Sequence, residues 1–129
     1  MRAIDTNVIV RFLTADDPVQ AAAARRAIEA GEVFVATTVL LETEWVLRSG
    51  YGFSSNAIEA ALKGIAGLPG LRVEEPLVLA AALDGLTAGM DFADALHLTK
   101  AEGCTAFLTF DLKLVKAAKG RSSVPVIAP

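Results

Sequence analysis

The stretch Val33-Phe34-Val35-Ala36-Thr37-Thr38-Val39-Leu40-Leu41-Glu42 changes its period halfway. Val33 to Ala36 is apolar and β-favouring, the pattern of a short buried strand. Thr37 or Thr38 then caps a helix running through Val39, Leu40, Trp45, Val46 and Leu47 to Ser49-Gly50, with Glu42 in its first turn. A strand that passes directly into a helix is half of a βαβ unit, and the same alternation continues on either side.

Towards the amino terminus, Arg2 to Asp5 reads as a first strand and Asn7 to Leu13 as one or two helical turns with Val8, Ile9, Phe12 and Leu13 at helical spacing. Asp17-Pro18-Val19-Gln20 starts a helix, with Asp17 as N-cap, Pro18 in the first helical position and Gln20 completing a capping box; Gly31 ends it. Beyond the opening stretch, Ser54-Ser55 starts a helix to about Leu68, and Leu71 to Val73 is a third strand. Helices follow from Pro76 to Ala88-Gly89 and from Asp91 to Glu102, then a fourth strand, Ala106 to Phe110, a basic helix, Leu112 to Lys119, and a last strand, Val124 to Ile127. Strands separated by helices imply a mostly parallel sheet covered on both faces, a three-layer α/β/α sandwich. The 129 residues suit one domain, 1–129, and show no repeat, linker or low-complexity segment.

Composition narrows the function. Apolar residues make up 53% of the chain, against about 45 to 50% in ordinary domains, a surplus that suits a dimer or partner interface. No apolar run is long enough to span a bilayer, and Asp5 and Arg11 interrupt any leader-like segment, so a cytoplasmic protein without membrane attachment is expected. One cysteine, Cys104, excludes an intrachain disulfide, and with a single histidine, His97, it leaves no Cys/His zinc site. The net charge of −3 is unevenly spread. Of the twelve basic residues, Lys113, Lys116, Lys119 and Arg121 follow residue 111, where there is no acid, leaving eight basic against fifteen acidic residues before it.

Four acids stand out among apolar residues: Asp5 at the end of strand one, Glu42, Asp94 early in its helix, and Asp111 at the end of strand four. Buried or clustered carboxylates are costly unless paired or bound to a cation. In parallel α/β sheets the ligand site lies beyond the carboxyl ends of the strands, the edge to which Asp5, Glu42 and Asp111 are expected to map. Oxygen-only ligands suit Mg²⁺ or Mn²⁺, and such ions promote phosphodiester hydrolysis by water. A metal-free route through an internal 2′-hydroxyl needs paired acid–base groups, usually histidines, and His97 is alone. Asp91 is an i, i+3 neighbour of Asp94 and a further ligand candidate, while Thr6, Asn7 and Thr109 are placed to orient Asp5 and Asp111.

The motifs Asp5-Thr6-Asn7-Val8-Ile9-Val10-Arg11-Phe12-Leu13, Val39-Leu40-Leu41-Glu42 with Trp45-Val46-Leu47, Asp91-Phe92-Ala93-Asp94-Ala95-Leu96-His97 and Thr109-Phe110-Asp111 occur in an order that resembles PIN-domain ribonucleases, above all VapC-type toxins of prokaryotic toxin–antitoxin pairs. The resemblance spans nearly the whole chain. It implies a five-stranded parallel sheet of order 3-2-1-4-5, Mg²⁺ or Mn²⁺ as cofactor, RNA as substrate, a homodimer and a cognate antitoxin. It also places the catalytic quartet on Asp5, Glu42, Asp94 and Asp111, with Asp91 as a frequent fifth acid and Thr6, Asn7 and Thr109 as supporting groups.

Each acid also has an ordinary structural reading, as a turn residue, a dipole-favoured residue or a helix cap. Glu44 reads as solvated or salt-bridged, Asp16 and Asp17 as loop and cap, His97 as a packed histidine, Trp45 as core or interface, and Cys104 as a small core residue. Lys113, Lys116 and Lys119 fall on one helical face and, with Arg11 and Arg48, are candidate phosphate contacts. Two other functions compete: a non-catalytic PIN-like binding module, whose hallmark is a lost acid, and a phospho-acceptor signalling domain. The second wants paired acids after strand one, an aspartate after strand three and a lysine after the last strand; here Asp5 stands alone, Glu74-Glu75-Pro76 follows Val73, and no lysine follows Ile127.

Overall fold

A computed structural model describes all residues, Met1–Pro129. The chain forms two compact units, Met1–Pro76 and Leu77–Pro129.

The first unit contains β1 (Arg2–Ala3), α1 (Thr6–Thr14), α2 (Pro18–Glu29), β2 (Val33–Val35), α3 (Thr37–Tyr51), α4 (Ser55–Ala66) and β3 (Leu71–Val73). Its sheet has the order β1-β2-β3, all parallel, with Ala3 opposite Phe34 and Phe34 opposite Arg72. Each parallel step is bridged by two helices, as a crossover between parallel neighbours requires. The pleat divides β2 and β3 as expected: Val33, Val35, Leu71 and Val73 are buried, whereas Phe34 is half-buried beneath the Arg72 guanidinium, 5.7 Å from the ring centre. Ile9, Leu40, Leu47, Ile58 and Leu62 supply the helical side of the core. Each such side chain is worth about 1.5–3 kcal/mol relative to exposure.

Local signals set most helix ends. Asp17 accepts from the Gln20 amide at 3.1 Å, and Ser54 accepts from the Ala57 amide at 3.1 Å. The reciprocal half of the expected capping box is not made, because the Gln20 side chain instead accepts from Arg11 Nε at 2.8 Å. The start of α3 differs from the sequence reading. Ala36 is its N-cap and makes no side-chain bond. The end of β3 supplies the missing acceptors: the Thr37 amide donates to Glu74 (3.0 Å) and the Thr37 hydroxyl to Glu75 (2.6 Å). Starting at Thr37, the helix therefore places Glu42 in its second turn rather than its first. Gly70 is required where β2 and β3 begin. Its φ is +74°, its carbonyl accepts from the Val33 amide, and an added Cβ would sit 2.9 Å from Gly31 Cα.

The second unit contains α5 (Pro76–Thr87, beginning on the last residue of the first unit), α6 (Phe92–Lys100), β4 (Phe107–Leu108), α7 (Leu112–Ala117) and β5 (Val126–Ile127). β4 and β5 pair in parallel, Phe107 with Val126 and Leu108 with Ile127. Phe92, Leu83 and Ala82 are fully buried, and Gly85 lets α5 and α6 approach so closely that a Cβ there would lie 2.9 Å from that of Ala95.

The five-stranded sheet of order 3-2-1-4-5 is not formed as one ladder; three strands and two strands make separate sheets. β1 and β4 are two residues long, shorter than the expected Arg2 to Asp5 and Ala106 to Phe110, because Asp5 and Asp111 already serve as helix N-caps. Several single-residue expectations also change. Trp45 is 58% exposed, Cys104 and His97 are exposed rather than packed, and α7 ends before Lys119, which therefore lies outside the helix carrying Lys113 and Lys116. No helix is long and apolar enough to cross a membrane.

Candidate active site

In the first unit, Asp5 ends the extended segment and caps α1: its Oδ1 accepts from the Thr6 amide at 2.8 Å. The helix turns Thr6 inward, where it is buried, and its hydroxyl donates to Glu42 Oε1 on α3 in a short hydrogen bond. This bond ties α1 to α3 and joins residues far apart in sequence. Asp5, Thr6, Asn7, Arg11 and Glu42 thereby line one open cleft of about 360 Å³, together with Val10, Val46 and Tyr51. Asp5 and Glu42 are both exposed to solvent there. A larger cleft of about 420 Å³, lined by Asp84, Gly85, Glu102 and Arg121 among others, contains none of the four singled-out acids. Chemistry rather than size therefore selects the smaller one.

The rim of this cleft carries a polar network. Arg11 Nη1 donates to Asp16 Oδ1 (3.1 Å) and to the Tyr51 hydroxyl (3.2 Å), and Tyr51 donates to Asp16 Oδ2 (2.6 Å). The Asp16 carboxyl is held below its ordinary value, first by the Tyr51 hydrogen bond and also by Thr14 and Arg11, against a desolvation effect in the other direction. Arg11 is shifted upward, chiefly by Asp16 and then by the Tyr51 hydrogen bond. Asp16 is thus more than a loop residue. Tyr51, at the end of α3, was not singled out by sequence reasoning; its partner lies 35 residues away and no local pattern announces it.

Behind the same helix, Glu44 is buried, at 1% exposure, and its carboxylate accepts from Arg48 Nε at 2.9 Å. The salt-bridged reading of Glu44 holds and the solvated one does not. Its buried position separates it from the exposed Glu42 two residues earlier.

In the second unit, Asp91 caps α6, its Oδ1 accepting from the Asp94 amide at 3.1 Å. Asp94 occupies the first turn and is half-buried. Its carboxyl is pushed above the ordinary value by burial first, then by the charges of Asp91 and Asp111, with His97 pulling the other way. Asp111 caps α7, accepting from the Lys113 amide (2.9 Å) and the Leu114 amide (3.2 Å), while the Thr109 hydroxyl oxygen accepts from the Asp111 amide (3.0 Å). Thr109 thus orients Asp111. Lys113 and Lys116 are exposed on the helix that Asp111 begins. Asp5, Asp91 and Asp111 are all caps, so the ordinary structural role is real, yet capping uses one carboxylate oxygen and leaves the other for a ligand.

The donor set fits a hard divalent cation by its chemistry, since every candidate ligand is a carboxylate. Asp5 and Glu42 belong to one unit; Asp91, Asp94 and Asp111 belong to the other and are coupled electrostatically. No three histidine, cysteine, aspartate or glutamate side chains are grouped as a metal-ligand set.

In comparison with known proteins, a family model described as PIN domain aligns with residues 3–120. No curated protein and no solved structure matches the chain.

Proposed function

This chain belongs to the PIN domain family, whose general chemistry is that of a nuclease, and on that premise we propose that it is a metal-dependent endoribonuclease of the VapC type, the toxin of a toxin–antitoxin pair. The carrying observation is the Thr6–Glu42 hydrogen bond, which, beside the capping of α1 by Asp5, sets two of the four motif acids on one open cleft. A scaffold has no need of two solvent-facing carboxylates in a cleft held by a buried hydroxyl. The match extends across both compact units, which supports a single PIN domain over residues 1–129.

In this reading Asp5, Glu42, Asp94 and Asp111 are the catalytic acids and hold Mg²⁺ or Mn²⁺, with Asp91 as a further ligand. A divalent ion bound by them supplies charge neutralisation of the phosphodiester and activation of water. The chain's own contributions are distinct. Thr6 holds one Glu42 oxygen, capping fixes the Asp5 and Asp111 carboxylates, Thr109 accepts from the Asp111 amide, and Asn7 lines the cleft beside Asp5. Burial first, and then the charges of Asp91 and Asp111, raise the cost of a charged Asp94, a cost that a cation relieves. Lys113 and Lys116, exposed beside Asp111, are the phosphate contacts, whereas Arg11, the other candidate from the sequence, is engaged by Asp16. Exposed Leu108, Phe110 and Leu112 support a protein partner, the antitoxin or a second copy in a homodimer. A cytoplasmic location follows from this role.

The test is a divalent-metal titration of RNA cleavage. Cutting that begins with Mg²⁺ or Mn²⁺, stops with chelator, and is lost in Asp5→Asn and Asp94→Asn with the fold intact supports the proposal. Undiminished cutting by either variant removes its assigned role. The second reading, a PIN module that binds RNA without cutting it, has a lost acid as its hallmark and none of the four is lost; RNA binding with no cleavage at any metal concentration would establish it. Family membership leaves the phospho-acceptor alternative without support.

A further inference from the structure

We propose that Tyr51 is a nucleobase-stacking contact at the rim of the Asp5–Glu42 cleft, and that Arg11 and Asp16 are positioning residues that hold its ring there. The proposal deepens the nuclease reading and rests on it for the identity of the ligand. Tyr51 is the last residue of α3, followed by Gly52 at φ +69°, and the residue is 38% exposed. A phenol at a helix end and open to solvent would ordinarily move between rotamers. This one is fixed at its tip: the hydroxyl donates to Asp16 and accepts from Arg11. The anchors are themselves tied, Asp16 to Thr14 at 3.0 Å and Arg11 to Gln20 at 2.8 Å. Phe53 and the Tyr51 ring form a T-shaped pair, with centroids 6.5 Å apart and planes at 80°.

Three consequences point to a base. First, Arg11 in this network is an ion-pair partner of Asp16 rather than a free cation, so its charge is already largely answered. Second, Asp5 and Glu42 line the same cleft and, without a bound cation, repel a phosphate chain, so in chelator affinity close to them is better drawn from an uncharged contact. Third, an aromatic ring pre-ordered by its hydroxyl has already lost the rotamer freedom that binding would otherwise cost, and base–aromatic stacking tolerates any sequence because every base has a π-face. A single-stranded RNA with unstacked bases is the ligand such a ring would take.

The experiment measures binding of the full chain to a short fluorescein-labelled single-stranded RNA by anisotropy, in chelator, using the intact oligonucleotide and a series with one abasic site at each position. Wild type is expected to lose about tenfold in affinity at one or two abasic positions, within the range for a stacked base. Tyr51→Ala should lose a similar factor on intact RNA and show no further loss at those positions, whereas Tyr51→Trp should retain both affinity and sensitivity. Tyr51→Phe and Asp16→Asn, which keep the ring and release its tip, should each lose a smaller factor and keep the abasic sensitivity. Equal loss by Tyr51→Ala on intact and abasic RNA, unchanged binding by Tyr51→Ala, or no binding of single-stranded RNA by wild type would each overturn the proposal. Because the measurement needs no metal, a wild-type protein that binds but never cuts defeats the nuclease reading and leaves the stacking contact to be judged on its own.

Discussion

Replacing Thr6 by valine removes the donor to Glu42 while keeping the β-branched shape. Thr6 is only 6% exposed, so the hydroxyl has little access to bulk water, and Glu42 is its acceptor. A hydrogen bond to a charged acceptor is worth about 1.5–3 kcal/mol. Glu42 is exposed and its oxygen can rehydrate, which brings the loss to the lower end of that range. The added methyl group recovers up to about 0.8 kcal/mol by apolar burial. The net loss is therefore about 1 kcal/mol, or about 4 °C in melting temperature for a chain of this length. Function should suffer far more, because freeing a ligand carboxylate from the group that orients it typically costs about 10–100-fold in metal affinity or activity. Thr6→Ser keeps the donor and should show the opposite pattern, a small stability loss with near-normal cleavage. Urea denaturation, Mn²⁺ calorimetry and RNA cleavage of the two variants check this. Wild-type metal affinity and cleavage in Thr6→Val would show that the bond only packs α1 against α3, and would remove the observation on which the functional proposal stands.

Arg48→Met leaves the Glu44 carboxylate buried without its ion-pair partner, and should destabilise the chain by about 3 kcal/mol in chemical denaturation; a loss no greater than that of an ordinary surface substitution would mean that water reaches Glu44. Asp94→Asn tests the sign of an electrostatic strain. The folded-state pKa of Asp94 is raised by burial and by Asp91 and Asp111, so the penalty is absent well below the ordinary aspartate value of 3.8, develops as pH rises through the unfolded and then the folded pKa, and is full at neutral pH. The variant should therefore melt higher than wild type at neutral pH in chelator and at the same temperature in strong acid; equal melting at both would refute it. Gly70→Ala forces an alanine to φ +74° with its Cβ 2.9 Å from Gly31 Cα, and should cost about 2–4 kcal/mol by strain and overlap together, read by urea midpoint.

Much of the chain could be read without coordinates because the relevant interactions are local. The caps at Asp17 and Ser54 are bonds to amides three residues on, and the third strand, Leu71 to Val73, lies where its apolar alternation put it. The motif acids were legible as residue types in order, and the family match covers all of them. Other features had no local signature. Thr37 is capped by Glu74 and Glu75 because β3 lies beside β2. That arrangement starts α3 at Thr37 and places Glu42 a turn later than its sequence suggested.

Hydrophobic period, turn residues and carboxylate positions along the chain thus determined the succession of strands and helices, the parallel α/β class and the acids worth following. Tertiary structure alone decided that Thr6 meets Glu42, that Asp16 and Arg11 hold Tyr51, that Glu44 is buried, and that the strands form ladders of three and two. The physical reason is reach: propensity and capping act over three or four residues, whereas these contacts join positions brought together by crossovers, whose paths depend on how whole helices pack.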